Sequence, residues 1–433
     1  MFKIIAVIII SSLISCAGDK NQDNMQKIAE EYVKLVLKTG QYDAAVVDAY
    51  YGPEDWKPAE LNGAEKNNFP KEKLIDETDN LLLRINLLDE SILSDIEKKR
   101  KNFLAKQLTA IKTKIEIIGG KKYSFDQESK LLYDAVAPHY EQDHFKGILS
   151  QLDKLLPGEG AITKRYDGYR KQFIIPEYLL DTVFQTAINE GRNRTLKHIN
   201  LPANESFRVE YVKNKPWGAY NWYKGNNFSV IQVNTDLPVY IERAVDLACH
   251  EGYPGHHVYN LLLEQNLLRK NNWVEFYVYP LFSPTSLIAE GTANYGIEVA
   301  FPGDDRIKFE KEVLFPLAGL DPNKADNYYK ILELVEQLNY ARNEASRKYY
   351  DGQFSKEQLK EWLVKYCLNS PERADKSIDF INTYGSYIIN YNYGEELCRN
   401  YIENAGGTKQ NPDKRWELFI ELISKPYTAS EIQ

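Results

Sequence analysis

Three of the chain's six histidines fall within eight residues, His250-Glu251-Gly252-Tyr253-Pro254-Gly255-His256-His257. Imidazole nitrogens beside a carboxylate are donors that zinc accepts, and an enzyme commonly leaves one position on the ion open for water. A glutamate next to a ligand histidine can then serve as the base for that water. The familiar spacing for this chemistry is H-E-x-x-H, two histidines one helical turn apart, but the second position here is Pro254. On an ideal helix His250 and His256 would stand about 240° apart around the axis. His257 would share a face with His250, but about 10.5 Å further along. A continuous α-helix therefore cannot bring two of these histidines to one ion. Pro254 removes a backbone donor and clashes with the carbonyl four residues earlier, that of His250. Gly255 opens conformations that other residues avoid. The sequence thus predicts a bulged or broken helix at 252–255, of the kind that gathers at functional sites. Such a break brings His256 to the place of the usual second histidine, with His257 as the alternative ligand.

A third ligand is predicted in LIAEGTANYGIEV, where Glu290 sits on an apolar helix forty residues after His250. Asn294, one turn later on the same face, can steady it. A lone His-Glu pair carries little information, and an apolar helix with one glutamate is common. Three histidines with Glu251, Pro254 and Gly255 among them are not ordinary core material, because buried histidine and glutamate need partners.

The elements that must position these groups read mainly as helix. Apolar positions recur at helical spacing over 25–38, in two patterns within 72–118 that stop at Gly119-Gly120, and over 173–197. Pro157-Gly158-Glu159-Gly160 marks a turn. Near residue 205 the character changes: SFRVEYV and NFSVIQVNT alternate and carry β-branched residues, so they read as short strands. The aromatic cluster Trp217, Tyr220, Trp222 and Tyr223 lies between them. Helices then return over 238–250, 256–270, 286–301, 323–350, 356–366 and 377–403. The expected organisation is an N-terminal helical region, 27–204, followed by a catalytic region, 205–433, in which a small sheet stands just before the histidine cluster.

The 433 residues carry 54 basic and 62 acidic side chains, a net charge of −8 with no basic run, which argues against nucleic-acid binding. Tyrosine is abundant at 31 residues, supplying rings that end in hydroxyls. The chain opens MFKIIAVIIISSLISC: Lys3, an apolar run Ile4 to Ile10, then Leu13-Ile14-Ser15-Cys16. That run is shorter than the ~20 residues of a membrane span and reads as a signal peptide, 1–15. Its end resembles a bacterial lipobox, which implies lipidation of Cys16, followed by a polar tether, 16–26. Ala17 rather than aspartate follows Cys16, consistent with an outer-membrane anchor where the cell has one. Cys249, Cys367 and Cys398 suggest no disulfide framework, and Cys249 is predicted to be core.

From about residue 225 onward the chain resembles the bacterial family catalogued as domain of unknown function 885. Its signature is close to H-E-x-x-P-G-H-H followed by an E-G-x-A helix. Both stand here, as residues 250–257 and Glu290-Gly291-Thr292-Ala293, and Tyr391-Asn392-Tyr393-Gly394 matches a weaker Tyr-x-x-Gly pattern. The chain departs from that family at Thr292, where tryptophan is usual, and around Arg342, where many members carry a histidine. The family is in turn similar to the gluzincin metallopeptidases, whose E-G-x-A segment supplies a glutamate ligand; the dipeptidyl peptidase III family tolerates one extra residue before its Gly-His. The resemblance implies a large helical metallopeptidase-like fold with Zn2+ on His250, His256 and Glu290, and Glu251 as general base. Tyr391 is the implied donor to the oxyanion, with His257 as an alternative in that role. Trp217 and Trp222 are expected to wall a subsite, Arg342 to receive a peptide carboxylate, and the strand at 228–233 to pair with an extended peptide. The expected activity is peptide hydrolysis outside the cytoplasm. The alternatives are a peptide- or glycan-binding surface lipoprotein and a zinc amidohydrolase acting on a non-peptide amide.

Overall fold

The computed structural model describes residues 24–215 and 217–433. The signal peptide and the lipidation candidate Cys16 lie outside the described residues. The tether expected to run to Gln26 gives way earlier, because helical backbone already spans residues 24–40. The molecule is mainly helical, as the periodicity predicts. Among the described residues no helix is long and apolar enough to cross a membrane.

Two apolar cores divide the labour. The smaller is built by the N-terminal helix and the helices Lys71–Asn86 and Asp95–Ile118. The last of these starts where Glu97 accepts from the backbone N–H of Ser94 (2.8 Å) and stops at Gly119. Its buried Leu104, Leu108, Ile111 and Ile115 recur at helical spacing and meet Ile28, Tyr32 and Val36. The larger core surrounds the histidine segment. It takes in Phe103, Tyr133 and Phe145 from the first half of the chain, so it is continuous across residues 204 and 205. A buried ion pair ties the two cores together: Arg100 donates to both oxygens of Glu275 at 2.7 and 2.8 Å.

Two small sheets complete the frame. Strand β1 (Val47–Tyr50) pairs antiparallel with β5 (Val278–Pro280), with a bulge between Val47 and Ala49. A mixed sheet has the order β2 (Ser206–Val212), β4 (Phe228–Asn234), β3 (Ala219–Tyr223), with β2 parallel and β3 antiparallel to β4. Tyr220, Trp222 and Tyr223 of the aromatic cluster between the two predicted strands thus lie on a strand of their own, with Trp217 outside it. This corrects one expectation. The strand at 228–233 is central and flanked on both sides, so it offers no edge to a peptide; β2 and β3 are the edge strands.

Other differences lie at breaks that periodicity does not register. The helix expected over 323–350 is two, Ala325–Glu336 and Asn339–Tyr350, with neither glycine nor proline at the join. The helix expected over 377–403 divides into Pro371–Tyr384 and Ile389–Asn404, where Gly385 takes a positive φ of 56°. Helices Phe125–Tyr133, Gln142–Leu155 and Ile162–Arg170 flank the turn at 157–160 and were not anticipated.

Candidate metal centre

The helix Glu242–Leu247 does not continue as α-helix into the histidines. It widens into a π-helical turn over Ala248–Gly252, closed by Tyr253 N–H on the carbonyl of Ala248 (3.1 Å). The Tyr253–Pro254 peptide is cis. The chain then doubles back so closely that Gly255 N–H donates to Cys249 O (2.9 Å). A Cβ at Gly255 would collide with the carbonyl oxygens of Cys249 and His250, so only glycine fits. From Gly255 a new helix starts, His256–Leu263. The predicted break at 252–255 is present, and its effect is to turn His256 back towards His250.

The opposing wall is the almost wholly buried helix Pro284–Ala300, which carries Glu290. It crosses the helix Ile389–Asn404 where Gly291 meets Gly394, each lying against the other's backbone. The glycines of the two sequence patterns are therefore the contact point that brings Glu290 beside Tyr387 and Tyr391.

His250 Nε2, His256 Nε2 and Glu290 Oε2 converge. The two imidazole nitrogens are 3.1 Å apart, and Glu290 Oε2 is 3.3 Å from His250 and 3.7 Å from His256. Ligands on a tetrahedral ion at about 2.0–2.1 Å would stand about 3.3 Å from one another. These three residues are the cluster among the described residues able to share one metal ion. The free positions on each group point the same way. Asn294 Nδ2 donates to Tyr391 O (2.7 Å), which fixes its Oδ1 towards His250 Nδ1 (2.8 Å) and leaves Nε2 for the cluster. Tyr387 donates to Glu290 Oε1 (2.8 Å), leaving Oε2 buried with no hydrogen-bond partner. A carboxylate oxygen that accepts no hydrogen bond at 7 % residue exposure is costly unless a cation meets it, a protonated imidazole or a metal ion. Imidazole, imidazole and carboxylate with such support form a donor set that suits zinc.

The electrostatics follow from this crowding. Burial opposes ionisation of Glu290, but His250 and His256 outweigh it and hold the carboxyl well below the usual range. Burial would lower His250, yet Glu290 and Glu251 raise it to about 9. Glu251 is 4 % exposed, and burial pushes its carboxyl up against the pull of both imidazoles. Its backbone carbonyl accepts from Asn221 Nδ2 of β3 (2.6 Å), which ties the edge strand to the π-turn.

The structure separates the two adjacent histidines. His257 is fully buried on the other side, with Nδ1 against Ser229 Oγ (2.8 Å) and Nε2 against Glu205 Oε2 (3.1 Å). Both nitrogens are engaged, so it is placed neither as a ligand nor as an oxyanion donor. Tyr391 is brought to the centre: burial and the charges of Glu290 and Glu251 hold its hydroxyl well above the usual range. Arg342 lies near enough to pull that hydroxyl down. Trp222 and Tyr220 pair with Val230 and Gln232 on one face of the sheet, whereas Asn221, which reaches Glu251, is on the other. Trp222 is therefore turned away from the cluster. Trp217 lines a separate recess. Cys249 is core, fully buried, and its thiol is pushed up to about 12 by burial.

Two participants were missed from sequence. Tyr387 stands four residues before Tyr391, a helical spacing that could have flagged it. Asp48 lies at the bulge of β1 and makes no hydrogen bond or ion pair among the described residues. Burial, Glu290 and Glu251 push its carboxyl up to about 8. Its only sequence signal was the β-branched and aromatic run before Gly52-Pro53.

No family model and no curated protein matches the chain. Among solved structures, it resembles a candidate lipoprotein from Colwellia psychrerythraea with a TM-score of 0.51 and 13 % identity, over 85 % of this chain and 70 % of that one. A candidate lipoprotein of unknown function from Shewanella oneidensis aligns with a TM-score of 0.40 and 12 % identity, over 81 % and 72 % of the two chains. The first likeness is one of fold.

Proposed function

We propose that the chain is a zinc-dependent hydrolase of peptide bonds, exported and anchored by lipid at Cys16. The observation that carries the catalytic reading is the triangle of His250 Nε2, His256 Nε2 and Glu290 Oε2, the last of which accepts no hydrogen bond. When bound, a zinc ion supplies a Lewis acid that acidifies water and polarises a carbonyl.

The protein's own groups divide the remaining work. Asn294 holds the His250 ring by its Nδ1 side, and Tyr387 holds Glu290 by Oε1, so the ligand atoms are set before anything binds. Glu251 accepts the proton of the attacking water and passes it to the leaving nitrogen, a task suited to a carboxyl that burial raises above its ordinary range. Tyr391 donates its hydroxyl proton in a hydrogen bond to the oxyanion that forms on the carbonyl. Edge strand β3, tied to Glu251 through Asn221, offers backbone groups to an extended peptide.

The test is metal content combined with digestion of a peptide library. The purified protein should hold about one zinc per chain, lost in His250→Ala. Glu251→Gln should keep zinc while cleavage falls about 100- to 10,000-fold. Protein that is metal-free and cannot be loaded sinks the site, and full turnover in Glu251→Gln refutes the role of that carboxylate. The lipid anchor rests on the lipobox-like Leu13-Ile14-Ser15-Cys16. Metabolic labelling with a fatty acid should mark the wild type and not Cys16→Ala.

A further inference from the structure

A cavity of about 230 Å³, used by none of the roles above, opens beside the π-turn. Arg170, Lys215, Arg243, Arg373 and Lys376 line it, against the single carboxylate Asp236. Three of the cations are already matched. Arg170 pairs with Glu242 (2.8 Å) and lies 3.8 Å over the ring of Tyr240. Arg243 pairs with Asp246 (3.1 Å), and Lys376 with Asp236 (3.6 Å). The guanidinium of Arg373 has no hydrogen bond or ion pair with any described residue, although it is partly buried. The Nε of Arg170 is buried and also lacks a partner. Burial and the charges of Arg170 and Arg243 work against the charged form of Arg373, a cost that a bound anion would offset.

The recess and the catalytic carboxylate share one helix face. Arg243 and Leu247 line the cavity, and Glu251 follows at the next four-residue step. At the rise of a helix, Leu247 and Arg243 lie about 6 and 12 Å from Glu251. That span equals about two to four residues of extended chain. The charge of Arg243 reaches Glu251. Trp217 supplies an aromatic wall.

We propose that this cavity is the subsite for a carboxylate of the substrate, held by the forked donors of Arg373 beside the charge of Arg170, about two to four residues from the bond that is cut. The inference rests on the hydrolase reading. It gives Arg373 the role that the sequence suggested for Arg342. A peptide C-terminus and an acidic side chain present the same planar group and fit the same fork.

The test measures binding by calorimetry on the zinc-loaded protein in the Glu251→Gln background. Four N-acetylated peptides serve as probes: a neutral tetrapeptide as free acid and as amide, and an amidated peptide carrying glutamate or glutamine near its end. One acid form should bind about 10- to 100-fold tighter than its neutral twin, and which one does so identifies the source of the carboxylate. Arg373→Gln should abolish that preference and leave binding of the neutral twin within about twofold, while Arg373→Lys should retain part of it. An unchanged thermal midpoint establishes that each variant is folded. Equal binding of acid and neutral forms, equal weakening of both by Arg373→Gln, or no binding of any probe overturns the subsite. Acid preference in binding without cleavage of any peptide by wild type defeats the hydrolase reading and leaves the subsite standing.

Discussion

His256 and His257 are neighbours in the chain and occupy opposite environments. His256 turns towards His250 and Glu290; His257 turns into a hydrogen-bonded network of Ser229, Glu205, Tyr253 and Arg192. Their replacement by alanine should therefore separate two losses. His256→Ala should abolish zinc retention, whereas His257→Ala should keep zinc and lower the thermal midpoint, read by metal analysis and calorimetry on the same samples. Asn294 touches no ion-facing atom, yet its contact with Nδ1 holds the His250 ring from the side away from the cluster. Asn294→Ala should weaken zinc about 10- to 100-fold in competition with a chelator; an unchanged affinity would remove Asn294 from the site. At this scale the sequence made His250, His256, Glu251 and Glu290 legible, because their types and spacings are local. It could not separate His256 from His257. That choice depends on the backbone at Gly255 and on Ser229 and Glu205, which are distant in the chain.

The crossing of Pro284–Ala300 and Ile389–Asn404 is the element on which Glu290 depends. With Gly291 and Gly394 in backbone contact, a single methyl has no room. Gly291→Ala should cost about 1–3 kcal/mol in denaturant unfolding and should loosen metal binding as Glu290 moves away from the histidines. An alanine variant with wild-type stability and zinc affinity would show that the crossing tolerates the extra volume. Helices with a clean apolar stripe, such as Asp95–Ile118, were legible in outline. The π-turn was legible only as a break, since Pro254 and Gly255 announce a departure from helix without its shape. Strand β3 was hidden because its aromatic residues read as a cluster rather than as an alternation.

Across the whole molecule, Glu205 links the helix Leu180–Thr195, through Arg192, to the histidine segment, through Tyr253 and His257. Burial opposes its ionisation, but those three partners hold its carboxyl down at about 2, below the ordinary 4.5. A carboxyl depressed on folding stabilises fully above about pH 4.5, and that contribution is lost as pH falls towards about 2. Wild type should lose stability steeply over that interval. Glu205→Gln should start lower at neutral pH, by on the order of 2 kcal/mol, and decline less steeply; parallel pH profiles would rule out this coupling. The continuity of the larger core across residues 204 and 205 was not legible from composition, because that core is assembled by pairings remote in sequence.

The pairing of Val47–Tyr50 with Val278–Pro280 spans more than two hundred residues. Asp48 reaches its place only when that pairing closes, and Glu290 sits on the helix that follows β5. The surroundings of the candidate metal centre are thus complete only once that long-range pairing has closed. If the leader delivers the chain unfolded across a membrane, the pocket closes beyond the cytoplasm. Intrinsic affinity for divalent ions rises towards copper, so supply at the place of closure governs which ion is taken. Refolding in equal zinc and copper should favour copper, whereas protein recovered from cells should carry zinc. On the zinc-hydrolase proposal, the occupant would record where the polypeptide finished folding.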